Sequence, residues 1–268
     1  MIKRGVLFFI VNFLFNSFAF SASEIVVNYT VIPNAKILSG SFDPSNFYVR
    51  DVSGGFHNII KEIVKDTNIK PNYINYDDYF FALENTIIYS PSNPEIMVGA
   101  TFSEDATKYL DYVSVPVFKD SLVLVVNKND LKKENVFSDS PEIDVKKLSI
   151  PPVFIKGLKV PYFKQKLFEE YKTVESAMEE VFLHSKVLLT SKTLVDKYLD
   201  KNSNIDKINN LKVIEYKDFP IYYFFVINKK SGLFTTKFDE DHFISDIIFE
   251  RLQNMINNNE ISKIIENK

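Results

Sequence analysis

The chain of 268 residues has no cysteine. That excludes a disulfide framework, a thiolate metal site and a lipid-modified N-terminal cysteine. Its three histidines, His57, His184 and His242, are scattered, with no H-x-H or H-E-x-x-H spacing, so no metal site is expected. No G-x-S-x-G, P-loop or dinucleotide glycine pattern occurs, and no cofactor is expected. Tryptophan is absent, and arginine is found only at Arg4, Arg50 and Arg251. The formal charge of −3 gives no electrostatic pull toward nucleic acid or anionic lipid. Beyond the first residues, no apolar run is long enough to cross a bilayer.

What is present begins with an export pattern. Lys3 and Arg4 precede an apolar run from Val6 to Phe15, followed by small residues at Ser17, Ala19, Ser21 and Ala22. Residues 1–23 therefore read as a secretory signal peptide, with an uncleaved N-terminal anchor as the alternative. Cleavage after Ala19, Ser21 or Ser23 fits equally well. Losing Lys3 and Arg4 takes the formal charge from −3 to −5. A cysteine-free exported chain suits the periplasm without a lipid tether.

About 245 residues remain, enough for one large domain or two smaller ones. Ile25-Val26-Val27 is a β-type run. Phe56, Ile59, Ile60, Ile63 and Val64 recur at helical spacing, predicting an amphipathic helix over 56–66 with His57 on its solvent side. A strand over 71–76, a helix capped by Asp77 or Asp78, and a buried strand at 96–99 follow. This order predicts a parallel α/β layout. It recurs later, with helices over 161–171, 173–183 and 192–200, a strand at 187–189 and another at Val213-Ile214. Two apolar runs, 122–127 and 221–227, bracket the second set. The expected organisation is discontinuous: lobe 1 from 24–119 plus 222–268, lobe 2 from 125–217, and a hinge at 120–124 and 218–221.

The stretch Gly99 to Phe118, GATFSEDATKYLDYVSVPVF, resembles a segment of periplasmic solute-binding proteins, the amino-acid-binding (family 3, type II) receptors of ABC transporters. That segment opens G-x-T-x-T-x-E-R, and Gly99, Thr101, Ser103, Asp111, Tyr112, Ser114 and Pro116 agree in type. Gly55-Phe56, the run from Phe80 to Asn85 and Ile261 to Ile265 extend the likeness over nearly the whole mature chain. Asn85, Glu95 and Glu260 depart from it. The resemblance implies two lobes, each a mostly parallel sheet flanked by helices, joined by two crossover hinge strands. It implies a small-molecule ligand between the lobes, an inner-membrane ABC permease as partner, and a monomer.

Positions matching the family's ligand-binding residues are Thr30, Tyr76, Val98, Gly99 and Thr101. Pro152 to Lys156, with Phe154, is expected to face the cleft from lobe 2. Two matched positions are altered. Ala106 stands where the family's arginine clamps the ligand α-carboxylate, and Ser191 where an aspartate receives the α-ammonium. A standard free amino acid in the usual pose is therefore not expected. Arg50, Lys156 and Lys159 are candidate replacement cations, whereas Arg251 is expected to lie away from the cleft. Two alternatives are a cleft enzyme resembling the cyclohexadienyl dehydratases, with Lys156 or Glu142 brought in, and a module that binds another protein.

Overall fold

A computed structural model describes residues 25–32, 36–39, 51–76, 78–131, 152–158, 169–202 and 208–266. The export pattern, Arg50, Lys159 and Glu142 lie outside the described residues. Lobe 1 is built on β1 (Ile25–Val31), β4 (Ile69–Tyr73) and β5 (Ile96–Thr101). β1 pairs in parallel with both β4 and β5. Every residue of β5 is buried, as a central strand covered on both faces requires. A two-stranded ribbon, β2 (Lys36–Ser39) with β3 (Asp51–Ser53), lies apart from this sheet.

The helix over 56–66 forms as α1 (Gly55–Val64), burying Phe56, Ile59, Ile60 and Ile63. Its solvent face does not include His57, which is buried. The imidazole Nδ1 is hydrogen-bonded to the Tyr29 hydroxyl, and the ring stacks on Tyr29 and meets Tyr73 edge-on. The apolar stripe of α1 is thus wider than its aliphatic residues suggest. A second helix, α2 (Tyr79–Ile87), starts at Asp78, whose Oδ1 accepts from Phe81 N at 3.1 Å. Its far end is closed by a buried side chain: Asn228 Nδ2 donates to Thr86 O at 2.6 Å and Ile87 O at 3.1 Å. Asn228→Leu would leave those carbonyls without donors, and we expect chemical denaturation to show a loss of about 2 kcal/mol.

After β5 come a short 3-10 turn (Ala106–Lys108), β6 (Leu110–Tyr112) and β7 (Phe118–Asn127), which runs on into a helical turn, α3 (Lys128–Leu131). Lobe 2 repeats the arrangement with β8 (Pro152–Ile155), β9 (Glu169–Tyr171), α4 (Val174–Leu183), β10 (Val187–Ser191) and α5 (Lys192–Lys201). β8 is parallel to both β9 and β10. Of the predicted helix over 161–171, residues 161–168 lie outside the described residues, and Glu169–Tyr171 is a strand covering the edge of β8. It is pinned by Lys186, whose Nζ binds Glu169, Glu180 and the Tyr171 hydroxyl.

The strand at 213–214 and the apolar run 221–227 are one element, β11 (Leu211–Asn228). Its first half pairs antiparallel with the second half of β7, and its second half pairs with β5 and β6. A register shift falls between Tyr216 and Pro220. One mixed sheet thus runs β4-β1-β5-β11-β7-β10-β8-β9 through both lobes, with β7 and β11 as the crossover strands. The chain closes on α6 (Ile244–Asn257) and α7 (Glu260–Glu266). Arg251 of α6 donates to the carbonyls of Ile63 and Lys65, closing the C-terminal end of α1 and keeping this cation out of the cleft.

Candidate functional site

The carboxyl ends of β1, β4 and β5 meet those of β8 and β10 across the crossover strands, where ligands of open parallel sheets collect. On the lobe 1 side, Val98, Gly99 and Thr101, three of the groups expected to bind a ligand, are already engaged by the chain itself. Val98 O accepts from Ile32 N at 3.0 Å. Gly99 has φ +107°, and a Cβ there would stand 1.4 Å from Ile32 O, so its backbone is approached by the chain itself. Thr30 is fully buried in β1, with no hydrogen-bond partner for its hydroxyl among the described residues. Tyr76 is half-buried and packs against the core.

Thr101 carries the central observation. Its N–H donates to the Tyr79 hydroxyl at 2.7 Å, and its own hydroxyl lies 3.0 Å from the same oxygen. Its carbonyl accepts from the Tyr112 hydroxyl at 3.2 Å. Tyr79 is the first residue of α2, so the helix aims a phenol at the end of β5. Burial pushes that phenol up to about 12, partly offset by the Thr101 hydrogen bonds, and it is neutral at any ordinary pH. Ala106 is buried in the turn that follows, a methyl group at the arginine position.

In lobe 2, Ser191 caps α5: its Oγ accepts from Leu194 N at 3.4 Å. An acid does stand beside it, supplied by crossover strand β7. Asp120 accepts from Ser121 N at 2.8 Å and Thr193 N at 3.0 Å, so it binds the N-terminus of α5. Burial raises this carboxyl above its usual range, and hydrogen bonds from Thr193, Ser121 and Ser191 act against that. Tyr223, fully buried on β11, lies against the same group, and burial together with the Asp120 charge raises its phenol. The matched sequence positions gave no sign of Asp120, because the acid reaches the site from a neighbouring strand.

The lobes touch through α2. Lys156 Nζ lies 4.2 Å from the Phe80 ring centroid and Lys172 Nζ 5.3 Å from that of Phe81, each a lobe 2 cation over a lobe 1 aromatic. Lys156 is thus committed to lobe contact. Gly157, at φ +83°, brings the chain beside Tyr79, Phe80 and Leu83. Phe154, expected to face the cleft, is instead fully buried in the core cluster. Sequence reading missed Asp78, Tyr79 and Asp120 as cleft residues. The visible signal was the aromatic run Tyr79-Phe80-Phe81 placed just after a cap, an unusual opening for a helix.

No protein-family profile matches the chain, and no curated protein matches it in sequence. Solved structures do match. The ligand-binding core of GluR0, in complex with L-glutamate, superposes with TM-score 0.61 at 13% identity, covering 91% of this chain and 98% of its own. The arginine-, lysine-, histidine-binding protein ArtJ from Geobacillus stearothermophilus gives 0.55 at 17% identity, over 90% and 93%. A substrate-binding protein of an ABC uptake transporter from Streptococcus pneumoniae, with bound histidine, gives 0.59 at 11% identity, over 91% and 93%. The chain has the fold of the two-lobed type II periplasmic binding proteins.

Proposed function

We propose that this protein is an exported receptor that captures a small polar solute between its lobes and passes it to an inner-membrane ABC permease. In this reading residues 1–23 are removed, 24–119 with 222–268 form lobe 1 and 125–217 form lobe 2. Residues 120–124 and 218–221 bend between them, and the receptor works as a periplasmic monomer. The shared fold supports the receptor class, since the proteins it resembles include amino-acid-binding components of ABC transporters. The ligand is not a free α-amino acid seated on Thr101. The observation that carries this is the Tyr79 hydroxyl on Thr101 N–H. It fills the donor that would meet a carboxylate, while Ala106 offers no cation. A carboxylate buried there without a partner costs several kcal/mol, equivalent to decades of affinity.

A thermal-shift screen of the exported chain against organic acids, sugars, amines, peptides and amino acids tests the receptor reading. A cognate solute at a hundredfold its dissociation constant stabilises by about 2.7 kcal/mol. One solute class should give such a shift. If none does, while a pulldown recovers an envelope protein, the receptor reading fails.

One observation favours that second reading, a module that binds another protein. Phe102 is 54% exposed and meets Tyr112 and Phe224 edge-on, and Tyr222, two residues along β11, is 40% exposed. Such an aromatic surface beside the hinge suits a protein partner.

A further inference from the structure

The lobes meet over the first turn of α2, and one acid lies inside that contact. Gly157 of lobe 2 brings its backbone beside Tyr79, Phe80 and Leu83, and Lys156 and Lys172 cover the Phe80 and Phe81 rings. Between the lobes a space of about 20 Å³ remains, room for one water. Asp78 lines it and is 7% exposed, with its Oδ1 spent on capping α2. Its Oδ2 is buried with no hydrogen-bond partner among the described residues. Lobe 2 places an acid on the same space, Glu175 in the first turn of α4. Tyr79, Lys172 before α4, and Lys197, Tyr198 and Lys201 of α5 complete the charged and titratable lining. Lys197 and Lys201 have partners of their own.

The two protonation states of Asp78 have different costs there. Ionised, it leaves a buried acceptor unfilled and shares the space with a second carboxylate from the other lobe. Protonated, Oδ2 becomes a hydroxyl donor, and one water in the space gives it an acceptor on the way to Glu175. We propose that Asp78 is a proton-operated latch between the lobes: its acid form holds them together, and its carboxylate form draws water into the contact and parts them about β7 and β11. The electrostatics agree with the geometry. Burial raises the Asp78 carboxyl above its usual range, the backbone N–H groups of Phe81 and Phe80 act against that, the Glu175 charge adds to it, and Lys172 opposes it. Parting the lobes returns the carboxyl to water and toward its ordinary value. Closed lobes therefore hold the proton more tightly than parted ones. Closure is complete below the ordinary carboxylate range and is lost as pH rises through the raised value. No solute takes part, so the latch is independent of ligand capture.

The absence of cysteine makes a direct test possible. Tyr89→Cys and Leu183→Cys place dyes at exposed positions beyond the far ends of α2 and α4, and energy transfer between them reports lobe separation without any solute. In the exported chain carrying only these two changes, transfer should be highest at about pH 5 and fall as pH rises to about 8. Asp78→Asn keeps a good helix cap and cannot ionise, so its transfer should stay at the acid value throughout. Glu175→Gln, at an exposed position, should shrink the change by about half or more, because the facing charge has gone. His57→Gln should leave the change as it is. A flat profile without these variants, an Asp78→Asn profile that falls in the same way, or loss of the change in His57→Gln would overturn the latch. If Asp78→Asn does not fold, as far-ultraviolet dichroism would show, Glu175→Gln decides, and an undiminished change overturns the latch. A flat profile leaves the receptor reading standing, and a screen in which no solute binds leaves the latch standing.

Discussion

Gly99→Ala is expected to destabilise the fold strongly. The residue sits at φ +107°, where a side chain is strained, and its added Cβ would meet Ile32 O at 1.4 Å and Phe56 Cε2 at 3.1 Å. Ile32 cannot retreat freely, because its own N–H is bonded to Val98 O and it follows directly on β1. The position lies where the pairing of β5 with β11 shifts register, between Phe224 and Phe225, so any movement also breaks the ladder joining lobe 1 to the crossover strand. The expected loss exceeds about 4 kcal/mol, the range reserved for a named structural fault. For a chain of this size that lowers the melting temperature by about 10 °C or more. A variant melting within about 2 °C of wild type would show that the backbone here is not fixed as described.

The second large effect is acid destabilisation through His57. Burial lowers its pKa from the ordinary 6.5 to about 4, with Lys61 adding to the effect. The folded chain therefore binds a proton less readily than the unfolded chain. The stability this contributes is complete above about pH 6.5 and is lost as pH falls toward about 4. The shift corresponds to about 3 kcal/mol. His57→Gln has no imidazole to titrate. Between pH 7 and pH 4 the unfolding free energy from denaturant titration should fall by about 3 kcal/mol more in wild type than in this variant. Parallel curves would place the imidazole in water. The neighbours support the buried reading: Tyr29 is itself fully enclosed, and burial raises its hydroxyl, so the bonded pair remains neutral.

Much of the architecture was legible from periodicity. The aliphatic stripe of α1, the buried run of β5 and the two long apolar strands each declared themselves, and the crossover followed from their spacing. His57 was misjudged because a polar residue on a helix counts as a solvent position unless a buried partner is known, and Tyr29 lies 28 residues away. The strand Glu169–Tyr171 was hidden for a similar reason: its two glutamates carry no strand signal, and what pins it is Lys186, bound to Glu169 and the Tyr171 hydroxyl. The candidate site was legible only as losses, Ala106 and Ser191. What stands nearby instead, Tyr79 from the start of a helix and Asp120 from a crossover strand, depends on three-dimensional proximity that no local pattern carries.

In the proposed reading Thr101 serves the protein's own tyrosine and not an amino acid. The most direct measurement is an NMR titration of the Thr101 amide with each free L-α-amino acid at millimolar concentration, in wild type and in Tyr79→Phe. In wild type the resonance should stay fixed for every amino acid, and in Tyr79→Phe it should shift without any ligand, because the hydroxyl that accepts its N–H has gone. Saturable movement of the wild-type Thr101 amide with an amino acid, or no change on removing the hydroxyl, would contradict the account.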